Sequence, residues 1–319
     1  MTRNRWASMG LPVVLATSLV VAVGCAGGRT DGVVASPVPS AAPVPVAAVP
    51  APGCDPWASL RPSGQDGPAI ARIRERGYLI AGVDLNSLLW GSADPMTGEI
   101  VGFDIDIVWA LARGVLGPDA RVRFVTMSPD QRVPRILAGD VDVMVRTMTI
   151  TCERKAEVAF STVYFRSGQQ LLVPKGSPPV GFDERLRGRR VCVGAGTTAV
   201  DLLARADLGA IVDVADNHLD CLVRLQSGET DAILTHGSLA AGLAAQDPMV
   251  HVVGPLLDET LYGVATHPRD TDLVRRVNAI LAQYTAGGAN SAWMRSYDRW
   301  LARDLPDRPA DPPPARYVD

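Results

Sequence analysis

A chain of 319 residues, 47% of them apolar, with a net charge of −3, carries enough material for real hydrophobic cores. Thirty-one basic residues against thirty-four acidic ones, with no basic stripe, exclude a general nucleic-acid surface. Beyond the first two dozen residues no apolar run is long enough to cross a membrane.

The N-terminus reads as an export signal. Arg3 and Arg5 give a positive start, and the apolar stretch Leu11 to Val23 has the length of a signal-peptide core rather than a membrane span. It ends in Val21-Ala22-Val23-Gly24-Cys25, which resembles the bacterial lipobox, where cleavage before the cysteine leaves its thiol to carry a lipid. Residues 1–24 are therefore expected to be a leader and Cys25 a lipidation site; an ordinary cleaved signal, or a short anchor with an accidental cysteine, is the alternative. Loss of Arg3 and Arg5 takes the net charge to about −5. From residue 25 to 53 the chain is mostly Pro, Ala, Val, Gly and Ser, which cannot bury enough surface to offset ordering entropy and suits an extended tether. At the other end, residues 306–319 are rich in Pro, Asp and Arg and read as a flexible tail.

Between these flanks lie about 250 residues, the size of two modest lobes. Tyr78 to Val83 reads as a buried strand ending at Asp84. From Gly102 the pattern turns helical, with Phe103, Ile107 and Leu111 on one face beside Val108, Ala112 and Val115. Val122 to Met127 is a strand, Gln131 to Leu137 a short helix, and Val141 to Arg146 a third strand. This alternation predicts an α/β lobe with a largely parallel sheet. A second lobe starts near Gly168, with strands at Val191–Val193, Ile211–Val214 and Ala232–Thr235 and helices through Leu203 and over Leu219–Leu225. Strands at Val250–Val253 and Tyr262–Ala265 follow. The last helices carry Leu273, Val277 and Leu281, then Trp293, Tyr297 and Trp300, a core stripe by its spacing.

With Cys25 set aside, Cys54, Cys152, Cys192 and Cys221 form an even set in an oxidising compartment. Three pairings are open. The one favoured joins Cys192 to Cys221 and Cys54 to Cys152, with free buried thiols as the alternative. No CxxC spacing occurs, so neither a metal nor another cofactor is expected.

Ligands of open α/β sheets bind beyond the carboxyl ends of the strands. Three such ends carry suitable residues here: Asp84; the run from Arg146 through Thr149 to Arg154; and Gly196-Thr197-Thr198 at a helix start. An arginine and a helix N-terminus together make a carboxylate clamp, because the guanidinium fork matches two oxygens and the helix presents N–H groups. Taken singly, each has an ordinary explanation as a surface pair or a cap.

Together these pieces resemble a family. Gly102-Phe103-Asp104-Ile105-Asp106-Ile107, Thr149 to Lys155, Phe160 to Phe165, Gly188-Arg189-Arg190-Val191 leading to Gly196-Thr197-Thr198, Cys221 to Gly228 and Tyr262-Gly263-Val264 are similar to family 3 solute-binding proteins of polar amino acid ABC importers. The resemblance implies a two-lobed periplasmic-binding-protein type II fold, with lobe 1 at 54–166 and 261–305 and lobe 2 at 167–260. Two hinge crossings are expected, near Arg166 to Gly168 and near Thr260 to Gly263. It implies that Arg154 holds a ligand α-carboxylate with help from Thr149, Thr197 and Thr198, and that Asp84 takes the α-ammonium.

Asp130-Gln131-Arg132-Val133-Pro134 is similar to a segment of glutamate/aspartate binders whose arginine reaches the side-chain carboxylate. With Arg146 it favours an acidic ligand, unless these arginines pair with Asp130, Asp140 or Asp142. His218 is a further cleft candidate. After the strand Ala232 to Leu234 the family usually places an ammonium-binding aspartate, whereas this chain has Thr235-His236-Gly237. His236 is then expected to act as a neutral acceptor beside Asp84, with affinity falling at acid pH; otherwise the ligand is not a plain α-amino acid. The expectation is a monomeric, lipid-anchored protein on the outer face of the cell membrane that binds an amino acid and meets ABC permease subunits. A membrane-receptor sensor and a dehydratase-like enzyme of the same fold are the rivals.

Overall fold

The computed structural model describes residues 53–178, 180–305 and 311–319. The expected leader, Cys25 and nearly all of the expected tether lie outside these residues. In chain order the first part comprises β1 (Ala58–Leu60), α1 (Pro68–Arg76), β2 (Leu79–Val83), β3 (Asn86–Ser87), β4 (Gly91–Ala93) and β5 (Ile100–Val101). It continues through α2 (Phe103–Leu116), β6 (Val122–Thr126), α3 (Arg132–Leu137), β7 (Val143–Met144), α4 (Cys152–Lys155) and β8 (Ala159–Ser167). Next come β9 (Gln169–Pro174), β10 (Arg190–Gly194), α5 (Thr198–Ala206), β11 (Ile211–Ala215), α6 (His218–Gln226), β12 (Ala232–His236), α7 (Gly237–Gln246) and β13 (Val250–Val253). The chain closes with β14 (Thr260–Thr266), α8 (Thr271–Thr285), α9 (Ala292–Trp300) and β15 (Arg316–Val318).

Two five-stranded sheets organise the body, ordered β6-β2-β7-β14-β8 and β11-β10-β12-β9-β13. In each, four strands run in one direction and a single strand, β14 in the first and β9 in the second, runs against them. The central strands are buried on both faces, which is why they read as continuous apolar runs. Along β2, Leu79, Ala81 and Val83 join the core beneath α1, α2, α8 and α9, while Ile80 joins the cluster on the opposite face. In the second sheet Val191 and Val193 face one cluster and Cys192 the other, the period-two alternation of a strand.

Helix α2 buries Phe103, Ile107, Leu111, Val108, Ala112 and Val115, the face read from the sequence. Trp293 and Tyr297 of α9 stack on each other at 5.4 Å and pack with Phe103 and Phe165 in an aromatic core. Trp300 is only half-buried, its indole N–H donating to Asp106.

The sheets are joined twice. The chain leaves the first at Ser167 and enters the second at Gln169, then returns between Val253 and Thr260. Thr260 already pairs with Ser167, so the second crossing lies ahead of the expected Thr260–Gly263. The crossings touch: a Cβ on Gly168 would stand 2.2 Å from the Asp258 carbonyl oxygen.

Disulfides join Cys54 to Cys152 and Cys192 to Cys221, with Cα atoms 5.9 and 5.6 Å apart. Two expectations need correction. Val141 to Arg146 is a strand only at Val143–Met144; beyond it Thr147 takes a left-handed φ of 43° while its N–H donates to the buried Asp104 carboxylate. The C-terminal segment is not loose throughout, because β15 pairs in parallel with β1 and Asp319 meets Arg61.

Candidate functional site

Most candidate residues stand at or just beyond the end of a sheet strand or at the start of a helix, while Thr149 sits in an isolated bridge with Tyr262 of β14. Asp84 follows β2, Arg132 opens α3, Arg146 follows β7, and Arg154 sits on the short helix α4, capped by Thr151. From the other sheet come Thr197 and Thr198 at the start of α5, His218 at the start of α6 and His236 at the end of β12.

The three arginines converge. Arg154 donates through Nη1 to the Thr149 carbonyl at 2.9 Å and through Nη2 to the Gly196 carbonyl at 3.0 Å. Arg132 donates through Nε to the Pro129 carbonyl at 2.7 Å and through Nη2 to the same Gly196 carbonyl at 3.2 Å. One carbonyl of the second lobe thus accepts from two guanidiniums of the first. Gly196 has φ +66°, and a Cβ there would stand 2.6 Å from the Asp130 Cα, so glycine alone permits this approach. Arg146, 1% exposed, donates through Nε to the Met127 carbonyl at 2.9 Å and sets Nη2 3.0 Å from Asp84 Oδ2.

Asp84 is therefore already engaged. Besides Arg146 it accepts from the Asn86 N–H at 3.0 Å and the Ser87 hydroxyl at 2.7 Å. Asp140 and Asp142 pair instead with Arg135 and Arg76, and Asp130 binds the Ser128 hydroxyl. None of these three takes the charge of Arg132 or Arg146. A cavity of about 240 Å3 opens beside Asp84, lined by Asn86, Thr126, Met127, Ser128, Gln131 and Asn217.

His236 is held by the chain itself. Its Nδ1 lies 2.7 Å from Tyr262 Oη, and its Nε2 lies 3.3 Å from Thr149 Oγ1 and 3.4 Å from Thr198 Oγ1. Tyr262 Oη also meets Ser238 Oγ at 2.9 Å, and the Ser238 carbonyl accepts the Trp90 indole N–H at 3.0 Å. Thr198 Oγ1 accepts from the Gln169 amide at 2.9 Å, so a chain of polar bonds crosses the cleft.

Electrostatics follow from burial. Desolvation, then repulsion from Arg154 and Arg146, holds Arg132 well below the usual arginine range. Burial, then Arg146, pushes His218 down to about 4, and its Nδ1 has no hydrogen-bond partner. Burial, then His218 and the nearby arginines, holds His236 well below its ordinary 6.5. A neutral His236 persists across the mildly acid range, so the expected loss of affinity through its protonation finds no support there.

Gly196 opens one of the strand ends picked out in the sequence, but its carbonyl's part in holding two arginines has no sequence signal, and Tyr262 belongs to a motif with no site role assigned. Their roles depend on which strand ends meet across the cleft. Ser238, Gln169 and Trp90 carried no signal. Asp104 was hidden in an apolar helical face; its carboxylate accepts from the Thr147 N–H and the Tyr164 hydroxyl, and burial pushes it up to about 7.

Two α/β lobes joined by adjacent crossings meet across a polar, cationic seam, the layout of a protein that binds a ligand between its lobes. Residues 79–303 match the model of the bacterial extracellular solute-binding proteins, family 3, and the chain belongs to that family. It is 32% identical over 235 residues to the ABC transporter glutamine-binding protein GlnH of Bacillus subtilis (strain 168), covering 74% of this chain and 85% of that one. The glutamate/aspartate import solute-binding protein of Salmonella typhimurium is 26% identical over 253 residues, 76% of this chain and 82% of that one. Among solved structures, the P235GK mutant of ArgBP from T. maritima superposes with a TM-score of 0.68 at 32% identity, covering 74% of this chain and all of that one. The relatives are thus binding proteins for amino acids that differ in charge.

Proposed function

We propose that the chain is the extracytoplasmic substrate-binding lipoprotein of an ABC importer, anchored through Cys25, and that it captures a small acidic amino acid of the glutamate/aspartate type by lobe closure. The observation that carries this reading is the seam of Arg132, Arg146 and Arg154, in which Arg146 pairs with Asp84 while Arg132 and Arg154 donate to backbone carbonyls. Buried cations without carboxylate partners cost several kcal/mol, and an anionic ligand bridging the lobes relieves that cost. Arg154 and the start of α5 suit one carboxylate, and Arg132 with Arg146 a second. Charge-assisted bonds gain strength as closure excludes water.

Thermal unfolding of the purified chain against the twenty amino acids tests this. A ligand at a hundred times its dissociation constant adds about 2.7 kcal/mol to stability. The expected outcome is a rise in melting temperature confined to glutamate and aspartate, with asparagine and glutamine weaker. A rise with arginine or lysine alone would refute the acidic reading. Recovery of the ligand unchanged separates binding from dehydratase-like turnover, and the membrane protein that co-purifies separates permease from sensor.

A further inference from the structure

The charges around the seam are not those that a zwitterionic ligand head calls for. Resting on the reading that the site takes a small acid, we propose that it recognises two carboxylates and does not require the α-ammonium, so that its ligand class includes four- and five-carbon diacids carrying an oxo or hydroxyl group in place of the amine.

Charge balance makes the first argument. Arg132, Arg146 and Arg154 bring three positive charges to the seam, and Asp84 returns one negative charge, already spent on Arg146. The excess of two matches a dicarboxylate without an amine, whereas glutamate or aspartate would leave one positive charge unmatched. Asp104 offsets only part of this excess, because burial pushes it up to about 7 and its oxygens are turned to the Thr147 N–H and the Tyr164 hydroxyl. Asp130, Glu153, Glu157 and Asp201 lie nearby but are exposed to solvent.

The second argument is the position after β12. An ammonium there would meet His236, which offers at most one lone pair and no charge. That imidazole is already fastened to Tyr262, Thr149 and Thr198. The groups facing it are cationic or neutral: Arg132 and Arg154 from the first lobe, His218 from the second. A keto or hydroxyl oxygen suits this setting better, since the Thr149 and Thr198 hydroxyls and one tautomer of His236 can donate to it.

The test is isothermal titration of the purified full-length chain with L-glutamate and L-aspartate, then with 2-oxoglutarate, oxaloacetate and L-malate. The expected result is that at least one amine-free diacid binds within tenfold of the better amino acid, or more tightly. An amino acid bound more than tenfold more tightly than every amine-free analogue overturns the inference and leaves the acidic-ligand reading intact. No binding of any of the five overturns both. Two variants, each checked for an unchanged far-ultraviolet spectrum, locate the effect. His236→Asp should shift preference at least tenfold toward the amine-bearing ligand, and His236→Asn should keep the original preference. A preference unmoved by His236→Asp refutes the assignment of this position.

Discussion

Asp104 shows how a residue with no apparent place in the ligand site still sets the behaviour of the molecule. It takes up its proton at about 7 in the folded chain against 3.8 ordinarily, because burial disfavours the carboxylate. Between those values the folded state holds a proton that the unfolded state has released, so this group lowers stability as pH rises, by roughly 4 kcal/mol over the window. His218 acts in the opposite sense: its folded value of about 4 lies below its ordinary 6.5, so stability rises with pH across that interval, by roughly 3 kcal/mol. The two nearly cancel in the mildly acid range. Asp104→Asn, whose amide can still meet Tyr164 Oη, should expose the His218 slope. Chemical denaturation of that variant at intervals between about pH 4 and about pH 7 should show stability rising with pH. A stability that still falls over that range would mean that Asp104 is not the buried titrating acid.

At the scale of elements, the Cys192–Cys221 bridge fastens β10 to α6, the helix that presents His218. The loop it closes spans 29 residues, and in the chain-entropy model such a cross-link restrains the unfolded chain by about 3.6 kcal/mol. Replacing both cysteines by alanine should lower stability by about 2–4 kcal/mol, read by guanidinium denaturation. If the midpoint does not move, the bridge does not constrain the unfolded chain. Much of this level is legible in the sequence, because strands buried on both faces leave unbroken apolar runs and α2 repeats every third or fourth residue. The run through Arg146 escapes, since its strand ends early where the Thr147 backbone turns to reach Asp104. Three residues of β15 beside a proline-rich stretch give no pattern to read, and only the partner strand β1 makes them a strand. Candidate site residues at strand ends could be picked out one by one. The bond from Tyr262 to His236 could not, because it joins strands that belong to different sheets.

For the molecule as a whole, the distance between the lobes is set by what fits at Gly196. Its carbonyl meets Arg132 and Arg154, and its bare Cα allows Asp130 to come close. Gly196→Ala adds a methyl group 2.6 Å from the Asp130 Cα and strains a left-handed backbone by about 1 kcal/mol. The lobes should then stay apart, weakening ligand binding by roughly a hundredfold while cooperative unfolding persists at a slightly lower temperature. Affinity unchanged in titration would show that ligand capture does not need this contact.

Where force enters such a body depends on the bond between Cys54 and Cys152. A load on Cys54 is shared between the backbone into β1 and the sulfur bridge into Cys152, which relieves the pairing of β1 with β15. Cys152 opens α4, the helix that holds Arg154. The bridge to Cys54 and the grip of Arg154 on the Gly196 carbonyl of the opposite lobe therefore share one short helix, so a strain at one is felt at the other.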